Sequence, residues 1–141
     1  MRQTSIRFAL SAINRQYLIE KTIRVDHIGE LAANQIYAGQ NAILANRPIS
    51  SVIQKMWNSE KEHLNIMERL CAKYDVSPTR LTPILSVIAF TLGATTAALG
   101  EKPAMACTIA VEELIAKHYD DQIMKLIDDD PKVHSELLKV Y

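Results

Sequence analysis

Apolar residues recur at helical spacing through most of the chain, and the stripe between residues 53 and 74 contains two polar exceptions. These are Glu60 and His63, which lie three residues apart and are therefore neighbours on a helix surface. A charged group in a core-facing stripe is costly unless something compensates it. A metal ion bound by both side chains is the compensation that this pattern favours. The stripe consists of two series in steps of seven residues: Ile53, Glu60, Met67 and Tyr74, and Met56, His63 and Leu70.

Two more predicted helices each carry one glutamate in an apolar stripe. Glu30 lies in a helix expected from about residue 17 to residue 45, and Glu112 in one expected from about residue 103 to residue 128. Glu113 is one step further round and can pair with a lysine four residues on, so Glu112 is the better ligand candidate. Three predicted helices thus each place a glutamate in an apolar stripe, and this pattern favours a shared metal site. The alternative is a set of buried carboxylates paired with arginine or lysine.

Other signals place the helix ends and predict an all-α chain. Pro48 ends the first helix, because the residue before a proline avoids the helical region. Ser51 and Gln54 resemble a capping box that opens the second helix. Asp130 and Pro131 predict a fourth helix of about ten residues, roughly 15 Å long. Its expected apolar side is formed by Val133, Leu137 and Val140.

Residues 81 to 100 contain no charged residue. This length could span a bilayer, but Pro83, Gly93 and several threonines argue against a simple span. Three interpretations remain: membrane contact or a wall against an apolar substrate, a plain core helix, and a true span. We favour a helix that lies along a membrane surface.

Composition and charge narrow the class of protein. The chain has 141 residues, which suits one domain, and its 16 basic residues balance its 16 acidic ones. This balance gives no support to nucleic acid as a partner. Cys71 and Cys107 match no zinc or redox spacing, so we expect buried, reduced thiols.

The first 19 residues have the composition of a mitochondrial presequence. Arg2, Arg7 and Arg15 alternate with apolar and hydroxyl side chains, and no acidic residue precedes Glu20. A frayed N-terminal helix is the alternative. We therefore divide the chain into a presequence, 1–19, and a helical domain, 20–141.

The order of the candidate ligands matches a known architecture. In ferritin-like di-iron proteins, two helices of a four-helix bundle each give one Glu, and the other two each give a Glu-x-x-His pair. Glu30, then Glu60 with His63, then Glu112 supply the first three of those helices. We expect a ferritin-like four-helix bundle with an extra apolar helix and an incomplete fourth bundle helix.

Several further motifs resemble those of one family. They are IRVDHIGE at 23–30, IYAGQ at 36–40, KMW at 55–57, EKEHL at 60–64, AMACTIAVEE at 104–113 and HY at 118–119. Through them the chain is similar, over roughly residues 17 to 138, to the demethoxyubiquinone hydroxylases of ubiquinone biosynthesis. That resemblance implies a di-iron monooxygenase that hydroxylates the ring of a polyprenylated quinone precursor with oxygen and electrons from NADH. It also implies a peripheral protein on the matrix side of the mitochondrial inner membrane.

The resemblance assigns roles to individual residues. It implies that Glu30, Glu60 and His63 hold one iron, and that Glu60 bridges to a second iron bound by Glu112. His118 and Tyr119 correspond to a pair near the site that couples electron delivery; the alternative is an exposed helix residue and an ordinary packing tyrosine. The two other histidines are not expected to be ligands. His27 is expected to contact a ligand residue rather than the metal, or to be structural, and His134 is expected at the surface.

One departure from the family pattern has consequences for activity. No second Glu-x-x-His follows Glu112, and the spacing of Glu30 and Glu60 places the missing glutamate at about position 142, just past the last residue. We therefore expect a C-terminally truncated chain with an incomplete second iron site and little or no activity. The competing hypotheses are a non-catalytic partial bundle that binds a membrane or a pathway partner, such as a lipid-binding protein, and simple iron storage.

Overall fold

The fold is built from long helices with short connections. A computed structural model describes the backbone from residue 2 to residue 140 and the side chains from residue 11 to residue 140. Along that part of the chain the helices are α1, Arg2–Leu44, α2, Ser50–Lys73, α3, Thr82–Ala98, and α4, Glu101–Asp129, followed by a single 3-10 turn, Leu137–Lys139. The all-α, ferritin-like prediction is confirmed.

Helix α1 is the centre of the structure. It packs against α2, α3 and α4, and α3 also packs against α4. Because α1 has neighbours on several sides, polar residues as well as apolar ones are buried along it, including Asp26, Glu30, Asn34 and Gln40. The Gln40 amide donates to the Ala104 carbonyl oxygen, 2.9 Å away, and so ties α1 to the start of α4.

Two glycines let α1 and α3 approach backbone to backbone. A Cβ atom at Gly93 would lie 2.0 Å from the Ile36 carbonyl oxygen, and one at Gly39 would lie 2.2 Å from the Phe90 carbonyl oxygen. Both distances are far inside van der Waals contact, so only glycine fits. At Gly29, by contrast, a Cβ would meet a side-chain carbon of Ile115 at 3.7 Å, which is an ordinary contact.

The apolar core forms two clusters along the bundle. Met67 and Leu126 belong to one cluster, and Tyr37 and Ile53 belong to the other. In sequence, Glu30 lies between the α1 members of the two clusters, and Glu60 lies between their α2 members. The acids therefore sit between two apolar layers. The full clusters are Ile23, Met67, Leu70, Cys71, Val76, Leu126 and Leu137, and Tyr37, Leu44, Ile53, Ala97 and Ala104.

The prediction for the end of the chain is wrong. Residues 130 to 140 form turns and the 3-10 segment instead of a fourth α-helix. Asp130 has an extended backbone, and its side chain accepts hydrogen bonds from the Lys132 and Val133 backbone amides. This is the geometry of a helix N-cap, so the predicted start is present, but the turns that follow it do not continue as an α-helix. Leu137 is buried in the core, whereas Val133, expected beside it, is exposed.

Two smaller expectations also fail. His134 is buried rather than at the surface, because its Nε2 atom lies 2.6 Å from Asp129, which also accepts a hydrogen bond from Arg15. The predicted capping box is absent at the start of α2, where the cap residue is Ile49 and no side chain caps the helix. Both cysteines are free; Cys71 is buried and Cys107 is half-buried.

The presequence prediction falls partly on residues 1–10, whose side chains lie outside the described part. From residue 11 onward the helix continues without a break, and Leu18 and Ile19 pack against the first core cluster.

The apolar segment forms α3, which buries Ala89, Gly93 and Ala97 against the bundle. Across the helices that the structure describes, none has the length and apolar character needed to cross a membrane. The opposite side of α3 and its ends expose large apolar side chains: Leu81, Ile84, Val87, Ile88, Phe90, Leu92 and Leu99.

We expect Gly93→Ala to destabilise the fold, because its Cβ would collide with the backbone of α1. Overpacking of this kind costs about 1–3 kcal/mol. Urea unfolding followed by circular dichroism measures the effect. The matched control is Gly29→Ala, which has room for its Cβ and gains about 1 kcal/mol of helix propensity. Equal stability of the two variants would contradict the close backbone packing.

Candidate metal centre

Three side chains from two helices converge at the centre of the bundle. Helix α1 contributes Glu30, and α2 contributes Glu60 and His63. Each offers one ligand atom, and these atoms all lie within 4.8 Å of one another. The i, i+3 spacing on α2 brings Glu60 and His63 together as the sequence predicted. This is the kind of group that holds a transition-metal ion.

The distances inside this group leave space for an ion. The Nδ1 atom of His63 lies 3.6 Å from Oε2 of Glu30 and 3.7 Å from Oε1 of Glu60. Both distances are too long for good hydrogen bonds. The buried Oε2 atom of Glu30 also finds no hydrogen-bond donor among the described residues when the acids are charged. The donors face one another without satisfying one another, which fits a bound cation.

Burial makes these unsatisfied acids costly. Glu30 is 2% exposed and Glu60 is 6% exposed, whereas the side chain of His63 is 54% exposed. Among the side chains from residue 11 to residue 140, no arginine or lysine forms an ion pair with Glu30, Glu60 or Glu112. The alternative of carboxylates neutralised by basic side chains is therefore not supported.

Glu112 approaches the group from α4. It is half-buried and is not one of the three convergent ligands. Its Oε1 atom accepts a hydrogen bond of 3.1 Å from the hydroxyl of Tyr37. Its negative charge also raises the pKa of Glu60. The structure thus brings together three of the four sequence-predicted ligands and sets the fourth beside them.

The electrostatics reflect a crowded acidic site. Burial, followed by the negative charges of Glu112 and Glu30, raises the pKa of Glu60 from 4.5 to about 8. A hydrogen bond with Glu30 acts in the same direction. Burial and the nearby Glu112 carboxylate likewise raise the pKa of Tyr37 well above its ordinary value. Without a cation, the site holds a proton at neutral pH.

The structure separates the two residues of the predicted His118–Tyr119 pair. The Tyr119 hydroxyl donates a hydrogen bond to Oε1 of Glu30 and so touches the centre directly. His118 is exposed and lines a different cleft, of about 390 Å³, beside residues of α1 that include Lys21. His27, expected to be structural, is buried at another point of α1, where burial lowers its pKa.

A small cavity adjoins the ligands. It has a volume of about 200 Å³ and combines polar site residues with apolar side chains. One of them, Val140, comes from the terminal segment, which the sequence did not connect with the site. The lining residues are Glu30, His63, Ile66, Met67, Tyr119 and Val140.

Tyr37 is the site residue that sequence reasoning missed. The sequence motifs include it only as part of IYAGQ at 36–40, with no role at the site, and its side chain is 2% exposed. The available signal was its position seven residues after Glu30, which puts both on one helix face. Periodicity indicates the face but not the hydrogen-bond partner on a different helix.

The raised pKa of Glu60 makes the stability of the metal-free protein depend on pH. The folded state holds this proton up to a pH of about 8, whereas the unfolded chain releases it near 4.5. The free energy of unfolding should therefore fall as the pH rises through that window. We expect Glu60→Gln to flatten this fall and to be more stable than the parent chain at pH 8.

Thermal unfolding of chelator-treated protein across this pH range measures the effect. Glu113→Gln, which changes an exposed acid one residue from Glu112, is the control and should keep the parental slope. Parallel pH profiles for Glu60→Gln and the parent would contradict the buried, proton-holding site.

Comparison with known proteins identifies relatives across almost the whole chain. The family described as "Ubiquinone biosynthesis protein COQ7" matches residues 17–141. A Caenorhabditis elegans protein named "NADPH-dependent 3-demethoxyubiquinone 3-hydroxylase, mitochondrial" is 58% identical over 95% of this chain and 72% of its own length. The human protein of the same name is 48% identical over 99% of this chain and 66% of its own length.

A bacterial relative extends this similarity. The "3-demethoxyubiquinol 3-hydroxylase" of Rhodospirillum rubrum is 46% identical over 80% of this chain and 54% of its own length. The chain therefore spans between about half and three quarters of the length of these relatives. The resemblance stated from the sequence motifs is confirmed: the chain belongs to the COQ7 family of ubiquinone biosynthesis proteins, whose named relatives are demethoxyubiquinone hydroxylases.

Proposed function

We propose that this chain forms the di-iron part of a monooxygenase that hydroxylates a demethoxyubiquinone-type ring. The observation that carries this proposal is the convergence of Glu30, Glu60 and His63, with Glu112 beside them. Family membership supplies the reaction class, because the relatives are named for this hydroxylation. The hydroxylase assignment for the chain itself rests on both lines together.

The donor set suits iron in its chemistry and its charge. Carboxylate and imidazole ligands are those of non-haem iron oxygenases, and iron bound here would supply oxygen activation. Glu30, Glu60 and His63 would hold one iron, and Glu60 would also reach a second iron bound by Glu112. Positive charge at this point would remove the repulsion that raises the pKa of Glu60.

The protein side chains would bind and orient the substrate. Ile66, Met67 and Val140 give the cavity beside the ligands an apolar wall. Such a wall suits the ring and the first isoprene units of a polyprenylated quinone precursor and helps to exclude water from the ligands. The Tyr119 hydroxyl lines the same cavity while it holds one oxygen of Glu30.

The electron source is a reduced nicotinamide nucleotide. The sequence resemblance led us to expect NADH, whereas the names of the animal relatives specify NADPH. We propose that His118 and Tyr119 still couple its electrons to the centre, although only Tyr119 contacts a ligand.

A mitochondrial location agrees with the names of the eukaryotic relatives. We propose peripheral attachment to the matrix side of the inner membrane through the exposed apolar side of α3, where Val87 and Ile88 are both more than half exposed. This attachment would bring the chain to its lipid-soluble substrate. Other ubiquinone-biosynthesis proteins, including a lipid-binding partner, are the expected protein partners.

We expect the residues described here to have weak activity or none by themselves, because they provide too few ligands for a second iron. The described residues supply Glu112 on α4, but they do not include the second Glu-x-x-His pair that the family pattern provides for a second iron. A non-catalytic bundle that binds a membrane or a partner through α3 is the second candidate, and the exposed apolar side of α3 favours it. Simple storage is less favoured, because the site adjoins an apolar cavity rather than an acidic channel.

Iron binding and turnover separate these functions. We expect the chain to bind Fe(II) under anaerobic conditions, and we expect His63→Ala to weaken binding at least tenfold because it removes one ligand. Iron analysis after desalting and equilibrium dialysis measures this. Glu113→Gln is the control and should bind like the parent. No iron binding by the parent would contradict the metalloprotein assignment, and rapid hydroxylation of a short-tailed precursor would contradict the expected inactivity.

Membrane attachment has a separate test. Each large apolar side chain contributes about 1.5–3 kcal/mol when it is fully buried. We therefore expect the double variant Val87→Ser and Ile88→Ser to bind vesicles of phosphatidylcholine and cardiolipin at least about tenfold more weakly in a co-sedimentation assay. Met124→Ser, an exposed residue of α4, should leave binding unchanged. Equal loss from both variants would contradict attachment through α3.

A further inference from the structure

Two tyrosines contact two acids of the centre in a reciprocal arrangement. Tyr37 of α1 donates to Glu112 of α4, and Tyr119 of α4 donates to Glu30 of α1. On each helix the tyrosine follows the glutamate by seven residues, which is about two turns. Each helix therefore presents one acid and one tyrosine on the same face, and each tyrosine holds the acid of the other helix.

This reciprocity follows from the way α1 and α4 pack. The contacts pair early residues of α1 with late residues of α4, so the two helices run antiparallel. The same antiparallel alignment extends in both directions from the two tyrosines. Towards the start of α4, Gln40 donates a hydrogen bond of 3.1 Å to Thr108. Towards the end of α4, Arg15 donates a hydrogen bond to Asp129. When two antiparallel helices have the same glutamate-to-tyrosine spacing, each tyrosine lies opposite the glutamate of the other helix, which gives two equivalent hydrogen bonds.

We propose that Tyr37 and Tyr119 are a matched pair of positioning residues that fix the orientation of Glu112 and Glu30 for metal binding. This inference rests on the proposed function, since it assigns the two acids to a metal. Under this proposal, Tyr37 orients a metal-binding carboxylate and Tyr119 does the same. This positioning role of Tyr119 is separate from its proposed role in electron delivery.

The contacts of Glu30 explain how such a tyrosine acts. The Tyr119 hydroxyl occupies Oε1, while Oε2 faces His63 at 3.6 Å. The carboxylate is thus held by one oxygen and offers the other to the centre. Hydrogen bonds to metal-binding carboxylates orient them, and loss of such a partner commonly lowers metal affinity 10–100-fold. Tyr37 donates to only one oxygen of Glu112 in the same way.

The test measures Co(II) binding to the intact chain by visible absorption titration. Phenylalanine keeps each ring and removes only the hydroxyl, so a packing role would survive in Tyr37→Phe and Tyr119→Phe. We expect each variant to bind Co(II) roughly tenfold more weakly or worse and to show shifted d–d bands, because the carboxylate orientation changes.

The chain contains a closely matched control. Tyr74 also donates to a glutamate at 3.1 Å, but its partner, Glu136, is neither one of the three convergent ligands nor part of the lining of the cavity beside them. Tyr74→Phe should therefore bind Co(II) with the affinity and spectrum of the parent chain. If Tyr74→Phe weakened Co(II) binding as much as the other two variants, the weakening would reflect a general loss of stability, and the proposal would be overturned.

The remaining outcomes separate this inference from the proposed function. If the parent chain binds no Co(II), the metal site itself fails. If the parent binds but both phenylalanine variants match it, only the positioning role fails. An effect at Tyr119 without one at Tyr37 overturns the matched pair. A Tyr37→Phe chain that no longer folds by circular dichroism also overturns it, because the hydroxyl would then be structural.

Discussion

The central constraint on the structure is the repulsion between buried carboxylates that have no arginine or lysine partner among the described side chains. Glu30 and Glu60 are almost fully buried and Glu112 acts on Glu60 from a third helix, so their charges cannot be screened by water. In the metal-free protein, a proton on Glu60 relieves this repulsion, as its raised pKa indicates. An ion of higher charge at the same point would relieve it further. The same feature therefore destabilises the metal-free site and would favour a bound cation there.

The rest of the fold holds these acids in place. Helix α1 carries Glu30 and Tyr37 and touches every other α-helix described here, so its position determines the site. Its approach to α3 depends on glycines that leave no room for a side chain. Apolar clusters above and below the acids prevent the helices from separating, and the terminal segment adds Leu137 to one cluster and Val140 to the cavity wall. The geometry of the candidate metal centre and of the cavity beside it is thus linked to the packing around α1.

Sequence periodicity predicted the parts of this arrangement that lie within single helices. A carboxylate in an apolar stripe must be buried, which located Glu30 and Glu60, and the i, i+3 spacing placed His63 beside Glu60, although the His63 side chain is 54% exposed. Sequence periodicity could not predict contacts between segments that are distant in the chain. The burial of His134 depends on Asp129 and the packing of the terminal turns, and the role of Tyr37 depends on α4.

The claim that the acids of α1 and α2 meet around iron has one direct measurement. A crystal of this chain soaked anaerobically in Fe(II), with diffraction recorded at the iron absorption edge, would show where the metal binds. Our account predicts an anomalous peak coordinated by carboxylate oxygens of Glu30 and Glu60 and by Nδ1 of His63. A peak at another location, or side chains of these acids turned towards solvent with no peak between them, would contradict it.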